Sequence, residues 1–246
     1  MIYRSNHNGI ISEFTIPTKK QKGIVILLAG MPSVPRQDKL LESLAMNGYV
    51  AIFPRYRGTW ESTGNFLGHS PVIDIEELCK KILKDKKLTE LYAGEKFSLT
   101  TNNIIAIGTS FGGTIALCSA KFPFIKKVLA FSPVVNWNNY AGAKTKDEFE
   151  HLHKFCNMAF SKAYRFSKIG WKKFQSGKLF NSPVDFDQND RNKITVISDP
   201  EDQVTSIDQI ENYTIKNKIN FKKINGFGHI SFSKFPIKKI IGYIEK

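Results

Sequence analysis

Short β-branched apolar runs alternate along this chain with stretches whose apolar positions recur every three to four residues. The first kind reads as buried strand and the second as amphipathic helix. On that basis Gly9 to Pro17 is an N-terminal strand, Gly23 to Ala29 a buried one, and Tyr49 to Pro54 the next. Between the last two, Leu40, Leu41, Leu44 and Ala45 predict a helix from about Arg36 to Asn47. A second helix starts near Ser70-Pro71, where Ile75, Leu78, Cys79, Ile82 and Leu83 recur at i, i+3, i+4, i+7 and i+8. Strands follow at Ile104 to Ile107, Val128 to Phe131 and Ile194 to Ile197, the first running straight into the helical stretch after Ser110. A helix at Ile207 to Lys216, a strand at Ile219 to Ile224 and a C-terminal helix from about Ile230 complete the series. Strands alternating with helices build βαβ units, so the fold class is α/β, with a mostly parallel central sheet flanked by helices.

One segment breaks the alternation. From about Asn136 to Arg191 the chain carries helical patterns and aromatic residues, among them Trp137, Tyr140, Phe149, Phe160, Trp171 and Phe180, but no convincing strand. This is read as a helical cap insertion, 136–191, packed over the sheet, with most of its aromatics forming its own core. With 246 residues the chain can bury one large core, so a single domain over 1–246 containing that insertion is expected.

Composition narrows the function classes. The charge of +14 raises nucleic acid or an acidic membrane surface as partners. The excess is almost all lysine, spread in pairs from Lys19-Lys20 to Lys238-Lys239, with only six arginines. Bidentate phosphate or base recognition favours clustered arginine, so a solvated basic surface is the preferred reading and no nucleic-acid partner is expected. The longest apolar stretch, around Gly23 to Met31, is too short to span a bilayer. Residues Met1 to Asn6 show no apolar h-region. Cys79, Cys118 and Cys156 are odd in number and widely spaced, which argues for free thiols in a reducing compartment. A cytoplasmic location follows. No P-loop, HExxH or glycine fingerprint after the first strand is present, so no metal and no cofactor are expected.

The chemistry concentrates at Gly108-Thr109-Ser110-Phe111-Gly112. A serine flanked two residues away by glycines, between strand and helix, matches a nucleophile elbow. The glycines suit a sharp turn that lies close to neighbouring backbone. The helix that follows aims its N-terminal amides at a developing oxyanion. Ser110 is therefore the candidate nucleophile. A serine hydroxyl needs an adjacent base oriented by a carboxylate, and in this architecture the order is serine, acid, histidine. Downstream of Ser110 stand His151, His153 and His229. The first two lie two apart in the insertion and point to different faces of a helix. His229, in the glycine-rich loop Asn225 to His229 after the last strand, is the preferred base. For the acid, Asp199, Glu201 and Asp202 all follow the strand at Ile194 to Ile197. Asp202 is preferred because it stands just before Val204 and the next helix, whereas Asp199 precedes Pro200 and equally serves as a turn former.

The elbow, the Asp202-Gln203-Val204 loop and the Gly228-His229 loop together resemble the α/β-hydrolase fold from about residue 22 onward. More narrowly, Phe53-Pro54-Arg55-Tyr56-Arg57-Gly58 through Gly64, with the doubled Gly112-Gly113, is similar to prolyl-oligopeptidase-like and dienelactone-hydrolase-like members. The resemblance implies a serine hydrolase whose oxyanion hole takes amides from Phe111 and from Met31, in the loop after the first buried strand. Such proteins usually open that loop with a His-Gly pair where this chain has Ala29-Gly30, which implies a different anchoring of the loop. Arg55 and Arg57 are candidates for binding a substrate carboxylate, with a loop-bracing hydrogen-bond set as the preferred reading. The activity implied is cleavage of a small acyl ester or thioester through an acyl-enzyme. An acyltransferase or peptidase would use the same residues, and a non-catalytic or nucleic-acid-associated scaffold is the reading from another class. The sequence sets no oligomeric state.

Overall fold

The computed structural model describes residues 1–137 and 147–246. Its centre is an eight-stranded sheet in the order β1-β2-β4-β3-β7-β8-β9-β10. The strands are β1 (Tyr3–His7), β2 (Ile10–Thr15), β3 (Gly23–Leu28), β4 (Tyr49–Pro54), β7 (Ile104–Thr109), β8 (Ile125–Phe131), β9 (Ile194–Ser198) and β10 (Asn220–Lys223). From β4 to β10 neighbours run parallel, while β1 and β2 are antiparallel at one edge. A small ribbon of β5 (Lys87–Thr89) and β6 (Lys96–Ser98) stands apart from this sheet. Every residue of β3, β4 and β7 is buried, as expected for parallel strands covered on both faces.

The helices are α1 (Asp38–Met46), α2 (Pro71–Asp85), α3 (Phe111–Ser119), α4 (Asp147–Phe160), α5 (Lys168–Gln175), α6 (Gln188–Lys193), α7 (Ile207–Asn217) and α8 (Ile237–Glu245). The chain steps from β3 outward to β4 through α1, and in the opposite direction from β7 to β8 through α3. Right-handed crossovers then put α1 and α3 on opposite faces of the sheet. The contacts agree, pairing α1 with α8 and α2 with α3. The reversal between β3 and β7 opens a crevice at their carboxyl ends, where ligands of open α/β sheets bind. Among the described residues no helix is long and apolar enough to cross a membrane.

The N-terminal strand is shorter than its pattern suggested, because Asn8 and Gly9 form a two-residue turn with φ of 52° and 84°. Positive φ at both positions is the hairpin turn that an Asn-Gly pair favours. The turn joins β2 to β1, whose sequence Tyr-Arg-Ser-Asn-His lacks an apolar run. The last helix begins at Ile237 and not near Ile230. Pro236 disfavours helical backbone in the residue before it, and Ser231 to Phe235 close a separate turn through Phe235 N–H to Ser231 O (3.0 Å).

Within 136–191 the described residues hold α4, α5, α6 and a 3₁₀ turn at Ser161–Ala163, with two isolated bridges and no strand. Tyr140 and the Phe149 side chain lie outside what is described. The segment is stitched to the loop after β4. Trp60 N–H donates to Ala163 O (2.7 Å), Phe66 N–H to Arg165 O (2.7 Å) and Arg165 N–H to Gly58 O (2.8 Å). Its buried aromatics Trp137, Phe174 and Phe180 pack around Phe111, the first residue of α3, with ring centroids 5.4–5.8 Å from it. Phe155, by contrast, is 54% exposed.

Candidate active site

Ser110 occupies the turn between β7 and α3 with φ 54° and ψ −119°. A non-glycine residue rarely adopts such backbone, at a cost of order 1–3 kcal/mol, and surrounding structure must hold it there. Two bare backbone contacts do so. A Cβ on Gly108 would lie 2.0 Å from Gly112 O, and one on Gly112 would lie 2.1 Å from Leu28 O. The Ser110 N–H donates to Phe131 O (2.9 Å), tying the turn to β8. Ser70, Ser167 and Ser206 each cap their helix by accepting a backbone N–H. Ser110 stands at the same position of α3 and makes no such bond, so its hydroxyl is not spent on the helix.

His229 follows a loop in which Gly226 and Gly228 take φ of 84° and 58°, the conformation that calls for glycine there. Its Nδ1 lies 2.9 Å from Asp202 Oδ2 and 3.1 Å from Oδ1. Asp202 is held in turn by the N–H groups of Val204 (2.8 Å) and Thr205 (3.0 Å) on Oδ1 and by the Thr205 hydroxyl on Oδ2 (2.8 Å). Burial pushes the Asp202 carboxyl up. The hydrogen bond and charge of His229, with the Thr205 amide and the Ser132 hydroxyl, outweigh that and hold it well below the usual carboxylate range. Asp199, also buried, accepts the N–H of Glu201 on one oxygen and those of Phe227 and Gly228 on the other. Burial works against its charge, but these three amides keep it lowered as well. Glu201 is exposed, and its amide is one of the Asp199 donors.

A carboxyl whose folded pKa lies below its unfolded value near 3.9 contributes stability that is complete above that value and lost as pH falls through the folded one. The Tm of the wild type should therefore drop more between about pH 5 and pH 3 than that of Asp202→Asn, which lacks the titration. Parallel pH curves for the two proteins in calorimetry would remove this linkage.

Ser110 and His229 line one cavity of about 470 Å³ at the β3–β7 crevice. Its walls include Met31, Val34, Leu152, Phe155, Phe160 and Phe232, and among the described residues His229 is the one ionisable side chain along them. A Cβ on Gly30 would stand 3.4 Å from the Ser110 Cβ, so the loop after β3 passes directly over the serine. That loop is anchored without the histidine of the resemblance. The Tyr56 hydroxyl donates to Ala29 O (3.0 Å), Ser33 N–H donates to the Tyr164 hydroxyl (2.9 Å), and Arg55 Nη2 donates to Pro35 O (2.9 Å). Met31 lines the cavity, and Phe111 provides the first amide of α3, which has no partner inside its helix.

Of the two roles open to Arg55 and Arg57, their surroundings match the loop-bracing one. Arg55 is buried and pairs with Glu13 (2.8 Å) and Glu61 (3.1 Å). Arg57 pairs with Asp74 (2.6 Å) and Glu77 (2.8 Å). Neither lines the cavity. With its own carboxylates satisfied, the pair braces the loop, and the contacts give no support to a substrate carboxylate there. His153 stacks on Trp171 (4.6 Å) within the insertion, and neither it nor His151 reaches the cavity. Sequence reasoning missed Tyr56, Ser132 and Tyr164 as supports. Tyr56 stands between the two singled-out arginines, but nothing marks the other two locally.

No family model matches the sequence, and no curated protein matches it either. Solved structures do. An esterase of Pyrococcus furiosus superposes with a TM-score of 0.67 at 16% identity, over 100% of this chain and 89% of that one. An acylaminoacyl peptidase of Pyrococcus horikoshii gives 0.62 at 13%, over 100% of this chain and 40% of that one. A putative dipeptidyl aminopeptidase IV from Bacteroides ovatus gives 0.60 at 14%, over 96% and 33%. With the strand order, the crossovers and the elbow at the end of β7, these likenesses settle the architecture: this chain has the α/β-hydrolase fold.

Proposed function

We propose that the protein is a serine hydrolase that cleaves a carboxylic ester or thioester through an acyl-enzyme on Ser110. The observation that carries this reading is the meeting of an uncapped serine hydroxyl on a strained elbow with a carboxylate-bound histidine in one cavity. In the proposed reaction His229 Nε2 takes the Ser110 proton as Oγ attacks the acyl carbon. Asp202 fixes the ring through Nδ1 and offsets the charge that forms on it. The tetrahedral oxyanion is met by the amides of Met31 and Phe111. The imidazolium then protonates the leaving alkoxide or thiolate, and a water activated by the same nitrogen releases the acid.

The cavity favours an uncharged, largely apolar acyl substrate. Among the described residues its walls carry neither an arginine nor a lysine for a carboxylate, and neither an aspartate nor a glutamate for an amine. The last point weighs against an exopeptidase that holds a free α-amino group on a carboxylate, and acylated peptides are left to the test below. The acylaminoacyl and dipeptidyl peptidases among the structural neighbours match this chain over 33–41% of their own length. A small cytoplasmic ester, with no cofactor and no nucleic-acid partner, completes the reading.

The test pairs a fluorophosphonate probe with p-nitrophenyl esters of rising chain length and aminoacyl p-nitroanilides. Labelling together with kcat/KM higher for the esters by at least about tenfold is expected, which corresponds to 1.4 kcal/mol at the transition state. Faster anilide cleavage would replace the ester reading with the peptidase one, and absence of labelling would leave a scaffold without this chemistry.

A further inference from the structure

Asp199 takes no part in the proposed proton transfers, yet it is a fully buried carboxylate three residues from Asp202. Its contacts are unusual for a turn former. Oδ1 accepts Glu201 N–H at 2.8 Å, within its own loop. Oδ2 reaches across to the loop after β10 and accepts both Phe227 N–H at 2.6 Å and Gly228 N–H at 3.0 Å. Those are the two residues immediately before His229. Among the described residues no lysine or arginine forms an ion pair with Asp199, so backbone donors alone compensate its charge.

The loop needs such an anchor. Gly226 and Gly228 adopt positive φ with open space where side chains would stand, so the turn's side-chain packing comes from Phe227 between them, whose ring lies 5.0 Å from that of Phe235, and the backbone needs a further tie. Glycine-rich backbone loses more freedom on ordering than any other, and without a partner it samples many conformations. On the far side of the histidine, Ile230 N–H donates to Ser132 Oγ (3.2 Å) and the Ile230 side chain is buried. The backbone around His229 is thus gripped before the ring by Asp199 and after it by Ser132. We propose that Asp199 is a positioning residue, which sets the His229 loop so that the imidazole bonded to Asp202 faces Ser110. One loop then supplies two carboxylates with divided tasks, Asp202 on the ring and Asp199 on the backbone that carries it. The inference rests on the hydrolase reading, since it requires His229 to move the proton.

The residue type is specific to this task. A carboxylate presents lone pairs on both oxygens and serves all three N–H groups, and hydrogen bonds to an ionised acceptor are about twice as strong as neutral ones. An asparagine offers one oxygen, and its NH₂ opposes either Glu201 N–H or the pair at 227 and 228. A catalytic group misplaced by about 1 Å costs on the order of a hundredfold in rate. Asp199→Asn should therefore lower kcat by roughly 10- to 100-fold while KM stays within about twofold, because Asp199 does not line the cavity.

The decisive experiment is a double-mutant cycle with His229→Ala, read with an activated p-nitrophenyl ester and accompanied by thermal unfolding of every variant. If Asp199 acts through the histidine, Asp199→Asn costs less than about twofold once the imidazole is gone. An equal loss in both backgrounds, or an unchanged kcat in the single variant, overturns the proposal. Should Asp199→Asn fail to fold, Asp199→Gly, which lets water reach the two amides, is measured in the same cycle. Unfolding of both overturns the proposal too, since the carboxylate would then hold the fold and not the loop. A wild type that neither labels nor turns over would remove the hydrolase reading and this inference with it. An active wild type with an indifferent Asp199 removes this inference alone.

Discussion

Ser110→Ala should abolish fluorophosphonate labelling and lower ester turnover by on the order of a millionfold, with the fold intact. The size follows from covalent catalysis: without Oγ no acyl-enzyme forms, and only the residual effect of binding and oxyanion donors remains. The intact fold follows from the local structure. Alanine keeps the Cβ, the φ of 54° and the N–H donated to Phe131 O. The hydroxyl caps no amide, so its removal breaks no cap. The equivalent change at Ser70 or Ser206, which do cap, would cost about 1 kcal/mol. Ser110→Ala should instead shift stability by less than about 0.5 kcal/mol. Intact-protein mass spectrometry after probe treatment, beside a denaturation curve, checks both halves. Retained labelling would move the nucleophile elsewhere, and a large loss of stability would mean the hydroxyl serves the fold.

Much of this architecture was legible because parallel strands buried on both faces carry near-continuous apolar runs. Gly23–Leu28, Tyr49–Pro54 and Ile104–Thr109 read as strands almost to the residue. The α2 boundary was equally plain, since Ser70 caps and Pro71 opens the helix. The edge was not. Tyr3–His7 alternates without an apolar run, and β5 and β6 are three residues each, too short for any period to register. In the site, chemistry written in contiguous residues could be read. Gly108 to Gly112 is one turn, and the backbone contacts that forbid a Cβ at its two glycines are what the motif encodes. Chemistry assembled across the chain could not. Tyr164 reaches Ser33 over 131 positions, and Asp199 reaches Gly228 over 29. The two arginines could be read as loop braces, but not with which partners, since Glu13 and Asp74 lie 42 and 17 positions away.

Asp202→Asn should cut turnover by roughly four orders of magnitude, and His229→Ala by as much as Ser110→Ala, because serine and histidine act as one unit. The asparagine effect can be derived from the hydrogen bonds. Oδ1 of Asp202 accepts two backbone amides, from Val204 and Thr205, and these oblige an asparagine to keep its oxygen on that side. Its NH₂ must then face Thr205 Oγ1, which can accept, and His229 Nδ1. A donor opposite Nδ1 selects the tautomer with the proton on Nε2, the nitrogen that has to take the proton from Ser110. The substitution thus leaves a packed, fully bonded loop around a histidine that holds its proton on the wrong nitrogen. Binding should be spared, with KM within about threefold of wild type, so the loss falls on kcat. Raising the pH should not restore the rate, since the defect is a tautomer and not a titration. Asp199→Asn is the control: it leaves the Asp202–His229 hydrogen bonds available and should cost at most about a hundredfold. If Asp199→Asn proves the more crippling change while Asp202→Asn keeps most of its turnover, the acid has been assigned to the wrong carboxylate of this loop.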